Sequence, residues 1–238
     1  MKTKNIKIVI GLIYLILFVI FFYFLFSHFE IKEITTYKFI QTNIEYLKDL
    51  KKSNIILLSI GFIILSIFWV LMLGFASPLV LLAGFIFGKW FGTLLATVGL
   101  TLGATFLYII TNYFFKHLVQ DKFLDKYKNL EIKFKKNEFI FFLVYRFVGG
   151  IPFQIANLLP VMFNVKINNY FFGTLIGITS QVFVLSALGS GIEQIISNNE
   201  SVPSIVELLF SPEIYIPILG LVFLIIIGLF IKKFFYKN

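Results

Sequence analysis

Uncharged apolar runs of bilayer length recur along this 238-residue chain, and they constrain its fold more than any other feature. Ile8–Phe26, Asn54–Leu73, Trp90–Phe114, Tyr170–Leu188 and Ile214–Ile231 each extend 18 residues or more without a charged side chain. Runs of about 18 or more are the signature of transmembrane helices. Composition agrees: 59% of residues are hydrophobic and 14% charged, against about 45–50% and about 25% in soluble domains. An ordinary soluble enzyme, a disordered chain and a nucleic-acid-binding domain are thereby excluded. There is no cysteine, and His28 and His117 lie far apart, so no metal site and no cofactor is expected.

Two stretches are apolar but too short to cross. Gly74-Phe75-Ala76-Ser77-Pro78 interrupts the second run, and the segment 78–88 then ends at Gly88-Lys89. Eleven helical residues rise only about 16 Å, against about 30 Å of hydrocarbon. This reads as one arm of a re-entrant hairpin with Ser77 and Pro78 near its tip. Phe139–Phe163 is broken in the same way by Gly149-Gly150-Ile151-Pro152 and reads as a second hairpin. Each hairpin is followed by a span, and Phe91-Gly92-Thr93-Leu94 recurs as Phe172-Gly173-Thr174-Leu175 near the start of those two spans. The expected fold is an all-α polytopic membrane protein built as an inverted repeat of hairpin plus transmembrane helix. Gly84, Gly88, Gly92, Gly99 and Gly103 supply small surfaces for close helix packing.

Three regions follow: 1–53, a transmembrane helix and an amphipathic surface helix; 54–190, the core with both hairpins; 191–238, an outer loop and a last span. In 28–53, apolar residues at helical spacing among Lys and Glu fit a helix on the membrane surface or a solvated connection. In 115–138, Val119, Phe123, Tyr127, Leu130 and Phe134 make one stripe surrounded by seven lysines, which suits an anionic lipid surface and also a positive-inside signal. Residues 190–213 hold no Lys or Arg. The lysine bias therefore puts 115–138 and the C-terminus in the cytoplasm, and a hairpin over 54–88 that returns to the face where 90–114 begins puts the N-terminus there too. Abundant Lys, Asn, Ile and Phe fit an AT-rich genome, and hence the inner membrane of a bacterial cell.

Backbone at a hairpin tip has unpaired polar groups, which survive in hydrocarbon only when buried in protein or facing water. Two facing tips imply a polar cavity. Ser77, Pro78, Gly149, Gly150 and Pro152 make the bends, because proline lacks a donor and glycine accepts unusual dihedrals. Arg146, the only arginine beside 20 lysines, sits in the second hairpin, where a central arginine costs about 2.5–3.5 kcal/mol. It serves either as a fork for a phosphate or as a residue that fixes the tip. Phe142, one turn earlier, can offer its ring face. Asn157 caps free backbone or meets a head group. Ser180 and Gln181 are read as helix–helix hydrogen bonders. No acid lies deep in the membrane, and no nucleophile–base pair or phosphate loop is present, so enzyme chemistry is not expected.

Ala83-Gly84-Phe85-Ile86-Phe87-Gly88, with Gly92, Gly99 and Leu102-Gly103-Ala104, resembles the first hairpin and following helix of the DedA-like, SNARE-associated Golgi protein superfamily (the VTT domain). Phe142-x-x-x-Arg146 followed by Ile151-Pro152-Phe153-Gln154-Ile155-Ala156-Asn157 resembles its Arg…Pro-Phe…Asn signature. The resemblance covers about residues 50–190 and lies nearer the yeast vesicle-protein branch. Gly149 stands where that family often has proline, Val161 where it has glycine, and no acid matches the one in proton-coupled relatives. The resemblance implies two facing hairpins and movement of lipid, either phospholipid scrambling or flipping of a polyprenyl phosphate. A small-solute or ion transporter on the same scaffold, and a non-transporting assembly or trafficking factor, stand as alternatives.

Overall fold

The computed structural model describes residues 49–123, 135, 137–148, 152–158, 160–198 and 210–235, together with positions 16, 19, 20 and 23. Two compact units divide the chain, 1–49 and 50–238. In the first unit Ile16, Val19, Ile20 and Tyr23 are helical and exposed. The amphipathic reading of 28–53 falls almost wholly outside the described residues.

The second unit opens with helix α1 (Ile55–Leu71), whose first turn is capped by Asn54 accepting from the Leu57 N–H at 3.0 Å. At about 1.5 Å per residue its 17 residues rise about 26 Å. A tight turn stops it. Leu73 adopts φ 56° and the Gly74 N–H donates to the Trp69 carbonyl at 2.8 Å. The Trp69 indole lies over Gly74, where a Cβ would stand 2.2 Å from Nε1, and donates to the Phe75 carbonyl at 2.8 Å. One aromatic side chain thus covers the bend and satisfies part of its backbone.

Helix α2 (Ala76–Phe87) runs back from this tip with Ser77 and Pro78 in its first turn, where a missing N–H is harmless. Gly88 then turns the chain at φ +80° with nothing within 4 Å of its would-be Cβ. Gly88 is therefore a corner that needs the left-handed region; the expectation that it packs between helices is corrected. Helix α3 (Lys89–Phe123) follows, and its part Lys89–Phe114 is long and apolar enough to cross a membrane alone. Along it, Gly92 lies on the Ala83 carbonyl of α2, Gly99 on Ser66 and Gly103 on Val70 and Ile67 of α1. Gly84 of α2 lies on the Ser186 backbone. Each glycine marks a close approach that a methyl group would obstruct.

The second half begins with α4 (Glu138–Val148), then the short helices α5 (Phe153–Leu158) and α6 (Pro160–Phe163). Gly149 and Gly150 lie outside the described residues, as does most of the basic segment 115–138 beyond Phe123. Helix α7 (Ile167–Gly177) and helix α8 (Thr179–Asn198) occupy the run expected as one plain span. Instead they meet at Ile178 with a bend of 41°. Helix α9 (Pro212–Phe235) covers the last apolar run. Among the described residues no element other than helix occurs.

Helix α3 occupies the centre, touching α1, α2, α6, α7 and α8. The core gathers around Leu100, Ala104, Tyr108, Phe142 and Tyr170. By contrast, Ile56, Leu57, Ile60 and Ile64 of α1 and Ile216, Leu219 and Phe223 of α9 are exposed apolar residues. An apolar outer face around a core with buried hydroxyls and an arginine is the arrangement a lipid solvent selects.

Candidate functional site

On α4, Phe142 and Arg146 are one turn apart and face inward, 0% and 4% exposed. Burial that deep demands acceptors for the guanidinium. One terminal nitrogen (Nη2) supplies two hydrogen bonds, to Asn157 Oδ1 of α5 at 2.8 Å and to the Tyr170 hydroxyl of α7 at 2.9 Å. Aromatic rings surround the ion: Phe142 at 5.1 Å, Tyr170 at 5.3 Å, Phe153 at 5.8 Å and Tyr145 at 6.0 Å from its central carbon. Each ring face contributes about 0.5–2 kcal/mol to holding a desolvated cation. All of these partners are neutral, so the positive charge itself stays uncompensated among them.

The cage is fixed from behind. Tyr170 stacks on Tyr108 of α3, ring centroids 4.4 Å apart, and the Tyr108 hydroxyl donates to the Val165 carbonyl. Gly173 and Gly177 bring α7 so close to α4 that their would-be Cβ atoms stand 2.6 Å from the Phe142 ring and 2.5 Å from Arg146 Cβ. Glu138 accepts from the Lys166 N–H at 2.7 Å and Asn169 Nδ2 at 2.9 Å, tying the start of α4 to the start of α7. Gln181 of α8 donates through Nε2 to the carbonyls of Phe147 at 2.8 Å and Arg146 at 3.2 Å. These carbonyls close the last turn of α4 and have no helical acceptor role left to fill.

A cavity of about 290 Å³ opens beside the guanidinium. Its walls come from the first hairpin (Phe75, Ser77, Val80), the second (Tyr145, Arg146, Pro152, Phe153, Gln154) and the bent pair (Ile178, Gln181, Val182). Arg146 is the charged residue among these walls. Three amino or imino groups here are buried without a partner: Arg146 Nε, Gln154 Nε2 and, behind them, Asn157 Nδ2. Because Asn157 must turn its carbonyl to the arginine, its NH2 necessarily points away with nothing to receive it. An unmet buried donor costs about 1–3 kcal/mol. An oxyanion is the kind of ligand that would bring acceptors to unpaired N–H groups beside a cation.

The sequence-derived residues thus fall into place unequally. Ser77, Pro152 and Arg146 share the cavity, and Asn157 holds Arg146 instead of capping backbone. Pro78 is exposed beside Ser77, in the first turn of α2. Sequence reasoning missed Tyr170 and Gln154. A tyrosine inside an apolar run was the available signal, because a buried hydroxyl must find a partner. Among the described residues no cluster of three metal-ligating side chains exists.

An all-helical integral membrane protein with two short broken segments meeting at a buried arginine is the class these features define. Residues 75–191, just under half of the chain, match the VTT domain, so the chain carries that domain. It is similar to a "Transmembrane protein 41 homolog" from Dictyostelium discoideum, 32% identical over 117 residues, covering 48% of this chain and 35% of that protein. The match thus spans about a third of that relative's length. No solved structure matches.

Proposed function

We propose that this protein moves phosphate-bearing lipids between the leaflets of a membrane, the head group passing through the cavity beside Arg146. The observation that carries this reading is the uncompensated guanidinium flanked by unpaired N–H groups at a cavity built from both hairpins. A phosphate supplies the acceptors that the neutral cage lacks. At about 30 Å³ per water, the space equals about ten waters, enough for a head group while the acyl chains stay in lipid. Ser77, Pro152 and Asn157 shape the polar side of the path.

An inverted repeat is part of the same reading. The first arm of each hairpin rests on its own half, α1 on α3 and α4 on α7, and the second arms reach the other half, α2 touching α8 as well as α3, and α6 touching α3. Such a plan brings two half-way segments together near the midplane. The same reading places both termini in the cytoplasm of a bacterial cell; the lysine distribution supports this for the C-terminus and for 115–138, which would lie against anionic lipid.

The test is leaflet exchange of a fluorescent phospholipid, and in parallel of a polyprenyl phosphate, in liposomes holding the purified protein. Exchange is expected to exceed that of empty liposomes and to fall in Arg146→Ala. Exchange no faster than in empty liposomes for both lipids removes the proposal.

A further inference from the structure

We propose that the break between α7 and α8 is a hinge that opens the cavity, and that Gln181 is the latch holding it shut. The inference rests on the lipid-carrying reading for its purpose but on independent contacts for its mechanics. Helices around the cavity sort into two bodies. Helix α8 is seated on α2, with Gly84 against the Ser186 carbonyl and Gly189 against the Leu81 carbonyl; added Cβ atoms would stand 2.0 and 2.1 Å from those oxygens. Helix α7 is seated on α4 through Gly173 against the Phe142 ring and Gly177 against Arg146 Cβ. Helices packed this closely do not slide gradually past one another. Each pair therefore moves as a unit.

Only Ile178 joins α7 to α8, and the axis already bends by 41° there. The cavity lies across the same division: Ser77, Val80 and Val182 stand on one side, Tyr145 and Arg146 on the other. Helix α9 goes with α8, its Glu213 backbone lying on Gly191, and also touches α4. Helix α3 goes with the α2–α8 body, its Gly92 lying on the Ala83 carbonyl of α2 and its Trp90 on the Phe183 ring, and it meets the other body through the Tyr108–Tyr170 rings and the Tyr108 hydroxyl bond to the Val165 carbonyl. Ring contacts tolerate tilting better than bare backbone contacts do. Among the described residues of α8, Gln181 is the one that reaches the Arg146 and Phe147 carbonyls, with directional bonds that a rotation at Ile178 would break. Opening the hinge frees the Arg146 carbonyl and draws the α8 wall away from the cavity, while Asn157 and Tyr170 go on holding the guanidinium. Gln181 is a positioning residue, acting through Arg146.

The chain has no cysteine, so spin labels can be placed at will. Leu82→Cys on α2 and Ile140→Cys on α4, 40% and 45% exposed, report the separation of the two bodies by electron–electron double resonance. The vesicles are phosphatidylcholine with phosphatidylglycerol. Gln181→Met keeps the volume and loses the donor; Gln181→Asn keeps the amide one methylene short. Both are expected to enlarge the longer-distance population about five-fold, the effect of losing one typical hydrogen-bonded anchor. Gln194→Met, the same change at an exposed site on α8, is expected to leave the distances alone. Should Gln181→Met not fold, Gln181→Asn decides. Unchanged distances in the folded Gln181 variants, or an equal shift in Gln194→Met, overturn the latch. If distances shift while Arg146→Ala leaves lipid exchange intact, the hinge stands and the path through Arg146 falls; if exchange needs Arg146 and distances stay fixed, only the hinge falls.

Discussion

Arg146 holds its buried position through planarity as much as charge. Its guanidinium lies among four ring faces and spends a single nitrogen on both Asn157 and Tyr170, leaving Nε without a partner. Lysine would bring the charge without the flat face or the fork. Arg146→Lys is therefore expected to reduce lipid exchange about 10- to 100-fold, the loss of one or two charge-assisted hydrogen bonds, measured in the liposome assay. Tyr170→Phe keeps the stack on Tyr108 and deletes one acceptor. It is expected to lower stability by about 1–2 kcal/mol, seen as a lower midpoint of thermal unfolding in detergent. An unchanged midpoint would show that the hydroxyl does not support the cation. At this scale the sequence was half legible. A lone arginine in a run of Phe, Ile and Val stood out, as did Asn157 in its motif. Tyr170 was read only as the start of a span, because nothing local distinguishes a tyrosine that faces lipid from one that faces an arginine 24 positions earlier.

Among the helices, glycine does three different jobs that spacing alone cannot separate. At Gly84 an added Cβ would lie 2.0 Å from the Ser186 carbonyl, at Gly61 it would meet nothing within 4 Å, and at Gly88 the backbone itself has φ +80°. Gly84→Ala is expected to push α2 off α8 and cost about 1–3 kcal/mol. Gly61→Ala is expected to be neutral or to stabilise α1 by about 0.5–1 kcal/mol. Gly88→Ala is expected to destabilise through strain, without any clash. Thermal unfolding of the three variants checks the order, and Gly84→Ala as mild as Gly61→Ala would refute the close α2–α8 contact. Element boundaries followed the sequence well where breakers are chemical: Asn54 starts α1, and the Gly-Phe-Ala-Ser-Pro stretch lies at the first tip. The bend at Ile178 escaped, since Gly-Ile-Thr-Ser contains no proline and the apolar pattern runs on through it.

In the molecule as a whole, the two hairpins share one cavity although Ser77 and Gln154 are 77 positions apart in the chain. A short bismaleimide is expected to bridge Ser77→Cys and Gln154→Cys in intact membranes, detected as a faster-migrating band, and the bridged protein is expected to lose lipid exchange. Failure of that pair to bridge would place the tips apart and remove the shared site. From sequence alone came the bilayer as solvent, the all-helical fold, the two segments too short to cross and the buried positive charge, because each depends on the transfer energy or geometry of residues adjacent in the chain. Tertiary structure alone decided that Tyr170 and Asn157 hold the arginine, that Gln181 spans the break to α4 and that Gly88 is a corner. Those outcomes depend on how helices are rotated and set against one another, which is governed by contacts between distant segments and leaves no local trace.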